Sequence, residues 1–132
     1  MDTSVAVALV VSDHSHHDVT FAALAGRQQL GLAGHALFET FSVLTRLPPP
    51  ARRTASTVVR LLAARFPESR FLDERSAAEL LATLASRGIA GGSVYDALVG
   101  AAAAAHDCTL VTRDRRALGT YRALDVRVEL LE

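Results

Sequence analysis

Two short β-branched segments near the end of the chain, "TLVT" at 109–112 and "VRVELL" at 126–131, are separated by one helical pattern, "DRRALGTYRAL". Strands joined through a helix cross over and run parallel, and a parallel sheet must hide both of its faces. The same alternation runs upstream. "QLGLAG" and "RFLD" read as brief strands, while "TSVAVALVVS", "DVTFAALAGR", "HALFETFSVLTRL", "ARRTASTVVRLLAARF", "ERSAAELLATLASRG" and "SVYDALVGAAAAAHD" read as helices. Leu37, Phe38, Phe41 and Leu44 lie on one helical face, as do Val58, Leu61, Leu62 and Phe66. Pro48, Pro49 and Pro50 form the sharpest break, and Gly88 suits a left-handed helix cap. The expectation is an α/β fold of three layers: a central parallel sheet of about four or five short strands, with helices on both faces. In such sheets, sites form beyond the carboxyl ends of the strands.

With 132 residues and no linker or repeat, the chain reads as a single domain over 1–132. Half the residues are hydrophobic, yet no run approaches the ~20 a membrane span needs, and no basic segment precedes Val5–Val11 as in a signal peptide. A lone Cys108 excludes a disulfide framework and points to a reducing, cytoplasmic setting. Net charge is zero, so nothing global marks a nucleic-acid binder. All fourteen basic residues are Arg, which removes every mechanism that needs a lysine, such as a Walker-type loop or a Schiff base.

Four acids occupy positions near element ends. Asp2 leads the first helix, and Asp114 follows "TLVT" after one Arg. Asp96 lies in the first turn of "SVYDALVG", and Glu39 stands in an otherwise apolar helical run. Each has a local explanation as well. Ser93 and Asp96 have the spacing of a capping box, Asp114 and Asp2 suit helix N-caps, and Glu39 suits a solvated face.

In this order and at these spacings, "DTSVAVAL", "HALFETFSVLTRL", "YDALVGAAAAA" and "TLVTRDRRAL" resemble the PIN-domain ribonucleases, in particular the VapC-type toxins of bacterial toxin–antitoxin pairs. The resemblance spans essentially the whole chain and implies a PIN-like fold. The family's catalytic, metal-holding acids carry over onto Asp2, Glu39, Asp96 and Asp114. It implies a metal-dependent endoribonuclease that hydrolyses RNA phosphodiester bonds to a 5′-phosphate and a 3′-hydroxyl, acting on tRNA or ribosomal RNA. A cognate antitoxin is implied as inhibitor, its helix and Arg-bearing tail wrapping the region around 51–66, and a homodimer is implied as the assembly. The Ala-rich face from Ala101 to Ala105 would allow close helix approach. A non-catalytic PIN-like module that binds RNA or protein is the competing class.

Carboxylates suit this chemistry. Two of them about 4 Å apart repel by ~4 kcal/mol at an effective dielectric near 20, so a pocket of four either stays partly protonated or recruits a cation. An all-oxygen set suits Mg²⁺ or Mn²⁺ rather than Zn²⁺. Ser4 and Thr112 read as supports that orient carboxylates or water, and Arg113, Arg115 and Arg116 as contacts for an RNA backbone. Relatives normally carry several apolar residues ahead of the first acid, where here only Met1 stands. Either the natural start lies upstream or the central strand is shortened, and Asp2 is expected to be the least ordered acid.

Outside this set, "DHSHH" (Asp13, His14, His16, His17) looks like a metal tract but has no evident partner ligand nearby and reads as a polar turn, and His35 and His106 read as structural or solvent-facing. Tyr95 and Tyr121 have rings that could stack on a base but read as core, and Cys108 reads as a small buried hydrophobe.

Overall fold

The computed structural model describes residues 1–132. Seven helices and two strands follow one another: α1 (Thr3–Val10), α2 (His17–Leu24), α3 (His35–Arg46), α4 (Ala55–Arg65), α5 (Glu74–Arg87), α6 (Ser93–Ala105), β1 (Leu110–Thr112), α7 (Leu118–Ala123) and β2 (Val128–Leu130). Asp73 caps α5 by accepting from Ser76 N at 2.7 Å, and Gly88 ends it in the left-handed conformation at φ +65°. That close matches its expected role as a helix stop.

Strands β1 and β2 pair in parallel, with Leu110 opposite Val128 and Thr112 opposite Leu130. Four or five strands were expected, and only these two form as regular strands. The other extended segments instead line up through isolated bonds. Asp2 N donates to Val111 O at 3.2 Å, joining the start of the chain to β1. The Met1 ammonium donates to Gly31 O at 2.8 Å, and Ala33 N returns a bond to Met1 O at 3.0 Å, in the pattern of a parallel pair. Ala33 forms an isolated parallel bridge with Arg70. Segments 68–70, 30–33, 1–2, 110–112 and 128–130 therefore follow one another side by side.

One feature interrupts this succession: Leu32 N donates to the Ser69 hydroxyl at 3.0 Å rather than to a carbonyl, while that hydroxyl donates to Phe66 O at 2.8 Å. A side chain thus replaces a backbone partner, and the ladder between 30–33 and 68–70 is interrupted.

Helix α1 packs on α2 and α3, and α3 on α4; α6 packs on α5 and α7; the two groups meet where α3 touches α6. One core cluster runs from Met1 to Val126 and includes Val5, Leu32, Leu44, Val58, Leu62, Phe66 and Tyr121. Val58, Leu62 and Phe66 face inward as their spacing indicates, but Phe38 is 63% exposed. The reason is positional: Ala36, Thr40 and Leu44 carry the buried stripe of α3, and Phe38 lies off it. Ala102 and Ala103 are buried in the chain's own core, so part of the Ala-rich face already serves packing within the protomer. Cys108 is exposed, on the turn between α6 and β1, and not a buried hydrophobe. No helix is long and apolar enough to cross a membrane.

Candidate active site

A cavity of about 210 Å³ is lined by Asp2, Thr3, Ser4, Glu39, Asp96, Val99, Asp114 and Tyr121. It brings together the first residues of the chain, α3, α6 and the turn after β1, that is, all four acids singled out in the sequence.

Asp2 is the most firmly held of them, contrary to expectation. It is 5% exposed. Its Oδ1 accepts from Ser4 Oγ at 2.6 Å and from Val5 N at 3.2 Å, and its Oδ2 accepts from the Thr112 hydroxyl. It therefore caps α1 and faces the cavity at once. Burial raises its pKa, while the bonds from Ser4, Thr112 and Val5 act the other way. Each hydroxyl that donates to Asp2 also accepts from the turn after β1: Ser4 Oγ from Arg113 N at 2.8 Å, and Thr112 Oγ1 from Asp114 N at 2.9 Å. Ser4 and Thr112 thus tie two distant acids into one network, although only one residue of extended chain precedes Asp2.

Thr112 is fully buried, so Thr112→Val keeps the shape and leaves Asp114 N and one oxygen of Asp2 without partners. Stability should fall by about 1–3 kcal/mol in urea unfolding, the usual cost of unpaired buried polar groups. A change below about 0.5 kcal/mol would mean that the network carries little of the fold.

Asp96 is the opposite case. Helix α6 has Gly92 as its N-cap with no side-chain capping bond, so the Ser93–Asp96 capping box does not form. The Asp96 carboxylate accepts no hydrogen bond, and its pKa is raised by burial first and then by the like charges of Asp114, Glu39 and Asp2. Glu39 is exposed on α3 and accepts from Thr3 Oγ1 at 2.5 Å. Asp114 does not cap a helix, because α7 starts only at Leu118. It closes a local turn: Arg116 N donates to Oδ1 at 2.9 Å, and the Arg116 guanidinium forks onto both oxygens at 3.0 Å. That guanidinium holds the Asp114 carboxyl below its usual range. Arg113 and Arg115 are also engaged, with the Glu132 backbone oxygen at 3.2 Å and its side chain at 2.8 Å.

Three lining residues escape sequence reasoning: Thr3, Val99 and Tyr121. Tyr121 is 1% exposed, its ring so close to Gly100 that a Cβ there would sit 2.9 Å from it. Burial, then Asp2, Asp96, Asp114 and Glu39, push its pKa up, so the phenol keeps its proton in a cavity otherwise rich in acceptors. No local pattern separates such a tyrosine from an ordinary core ring. Tyr95, also read as core, is 55% exposed and stacks on His35.

No three His, Cys, Asp or Glu side chains are arranged to hold a metal ion directly. The lining offers oxygen donors only, one of them the unbonded Asp96 carboxylate. Such a set fits a hard cation that keeps several waters and takes one or two carboxylates, as Mg²⁺ does.

A PIN domain family model matches residues 1–123. The chain is 47% identical over 128 residues to Ribonuclease VapC27 of Mycobacterium tuberculosis, covering 97% of this chain and 93% of that protein. It is 44% identical over 132 residues to Ribonuclease VapC40 of the same organism, covering 98% and 96%. Among solved structures, VapBC2 from Rickettsia felis bound to a DNA fragment from their promoter superposes with a TM-score of 0.68, at 18% identity, covering 99% of this chain and 96% of that one.

Proposed function

Because the chain belongs to the PIN-domain family, we propose that it is an endoribonuclease toxin of the VapC type, dependent on Mg²⁺ or Mn²⁺ and restrained by a cognate antitoxin. The observation that carries this reading is the meeting of Asp2, Glu39, Asp96 and Asp114 in one cavity, with Asp96 left unbonded. A burial cost of that kind has no structural return, whereas a cation relieves it at once.

Asp96 and Asp2 would hold the ion, and Glu39 and Asp114 would orient its waters. When bound, the ion supplies a water of lowered pKa and neutralises charge growing on the phosphodiester. Asp2 is fixed for that role by Ser4 and Thr112. Tyr121, which also lines the cavity, keeps its phenol proton there. Arg116 leaves Asp114 for a phosphate oxygen, since the same fork fits either partner. The substrate on this reading is tRNA or ribosomal RNA, and the protein works in the cytoplasm as a homodimer.

The antitoxin has a natural seat. An apolar groove of about 670 Å³ between α3 and α4 is lined by Leu37, Phe41, Val59, Leu62 and Phe66, among others. It suits the apolar face of an amphipathic helix.

The test is incubation of purified protein with cellular RNA in Mg²⁺ or Mn²⁺, and again in excess EDTA. Cleavage that leaves 5′-phosphates and stops in EDTA is expected. Intact RNA under every metal condition would overturn the reading and favour a binding module.

A further inference from the structure

The chain is neutral as a whole but not along its length. Between Glu39 and Glu68 stand five arginines, Arg46, Arg52, Arg53, Arg60 and Arg65, and no acid, which leaves nine arginines against fourteen acids elsewhere. That basic stretch covers the end of α3, the proline turn and all of α4. None of its arginines takes part in an ion pair, although arginines of other segments do so repeatedly. Like charges gathered on one hairpin repel one another, and the fold itself supplies nothing to offset them.

These charges border apolar surface. The groove between α3 and α4 runs on beyond its own walls, because Pro67 lines both it and a second cavity of about 320 Å³. Leu9 on α1, Phe21 and Leu24 on α2, and Leu30 wall that second cavity, with Phe21 56% exposed. Arg27 and Arg65 supply its only charges. Glu129 neutralises Arg27 through two bonds, at 2.6 and 3.0 Å. Arg65, exposed and unpaired, is the free cation on this wall. Leu9 lies far along α1 from its cap Asp2, about 10 Å on the helix axis, so the track leads away from the acidic cavity.

We propose that groove and cavity form one docking track, and that its end at Arg65 is a carboxylate subsite for an acidic segment following the partner helix that fills the groove. The inference rests on the reading that such a helix occupies the groove, and adds the chemistry of what lies beyond it. Charge and shape select that occupant. An apolar helix face alone covers the groove and leaves the arginines unmet, whereas a carboxylate can take the Arg65 fork with two bonds. RNA suits the arginines but not the groove, since a hydrated phosphate backbone gains nothing by lying along apolar walls. A second copy set on this face by a two-fold axis brings arginines against arginines.

The test uses fluorescein-labelled synthetic peptides, each a leucine-rich amphipathic helix followed by a short tail of glutamate, glutamine or lysine. In polarisation titrations at low salt, the parent should bind the glutamate tail about five-fold more tightly than the glutamine tail. Arg65→Gln should erase that preference, and Arg65→Glu should shift it to the lysine tail. Arg122→Gln removes an exposed charge on α7 and should keep it. Val59 lines the groove at 58% exposure, so Val59→Asp should weaken all three peptides. Equal affinity of the parent for every tail would defeat the subsite and leave the groove reading standing. No binding of any peptide would defeat the groove reading, and the inference with it. A preference that survives in Arg65→Gln, or falls as far in Arg122→Gln, would reduce it to net charge and overturn the subsite. So would a single-stranded oligoribonucleotide that displaces the glutamate peptide from the parent but not from Arg65→Gln, since the track would then belong to nucleic acid.

Discussion

Asp96→Asn should give a protein that cuts RNA at least about 100-fold more slowly and yet melts at a higher temperature. The two effects share one cause. Burial and the charges of Asp114, Glu39 and Asp2 raise the pKa of Asp96 above its ordinary 3.8. A carboxyl whose pKa is higher folded than unfolded binds its proton more tightly in the fold. Its stabilising share is complete below the unfolded pKa of about 3.8 and is lost as pH rises through the folded value. At neutral pH the ionised group therefore works against folding. Asparagine removes the charge and keeps the shape, so melting curves near pH 7 should move up and their dependence on acid should flatten. Asp96 is only half buried, so the gain is modest beside the loss of rate. On the proposed metal dependence, Mg²⁺ would offer the same relief by binding, and would stabilise the folded state by an amount that grows with the logarithm of its concentration above Kd. It should raise the melting temperature of the parent and do less for Asp96→Asn. A variant that is less stable than the parent and still cleaves would contradict both halves.

The contrast between Asp96 and Asp2 marks how far a sequence can be read. All four acids were singled out from recognisable stretches, three near element ends and Glu39 inside α3, and the fold brings them to one cavity. Their tethering was not legible. Asp2 looked loose because one residue precedes it, but its restraint comes from Ser4 and from Thr112, the latter 110 positions away. Local spacing also suggested a capping box at Ser93 and Asp96 that does not form, since backbone groups alone begin α6. The same limit applies to the sheet. Apolar content marked where extended segments lie, while regular pairing depends on partners such as the Ser69 hydroxyl, which takes the Leu32 N–H. Tyr95 and Tyr121 carry the same side chain in helices of similar character. One lies in the open on His35 and the other in the core against Gly100, and only packing decides which.

The central seam also predicts the most damaging small change in the molecule. A Cβ on Gly31 would lie 2.1 Å from the carbonyl oxygen of Glu68 and 2.3 Å from its carbon. Those atoms are backbone, so no side chain can rotate out of the way. If segment 68–70 retreats, it gives up the bonds from Glu68 N to Leu30 O, from Arg70 N to Leu32 O and from Gly34 N to Arg70 O. If segment 30–33 retreats, it presses on Met1, whose ammonium rests on Gly31 O and whose neighbour is Asp2. Gly31→Ala should therefore cost about 3 kcal/mol or more, a large share of the ~5–15 kcal/mol that holds a typical domain together. Gly119 is the control. It lies within α7, and a methyl group there would meet nothing within 4 Å, so Gly119→Ala should stabilise by about 0.5–1 kcal/mol through helix propensity. Urea unfolding of the two variants beside the parent decides the matter. Near-equal midpoints for Gly31→Ala and the parent would mean that the seam yields without cost, and that Asp2 is held by its side-chain bonds alone.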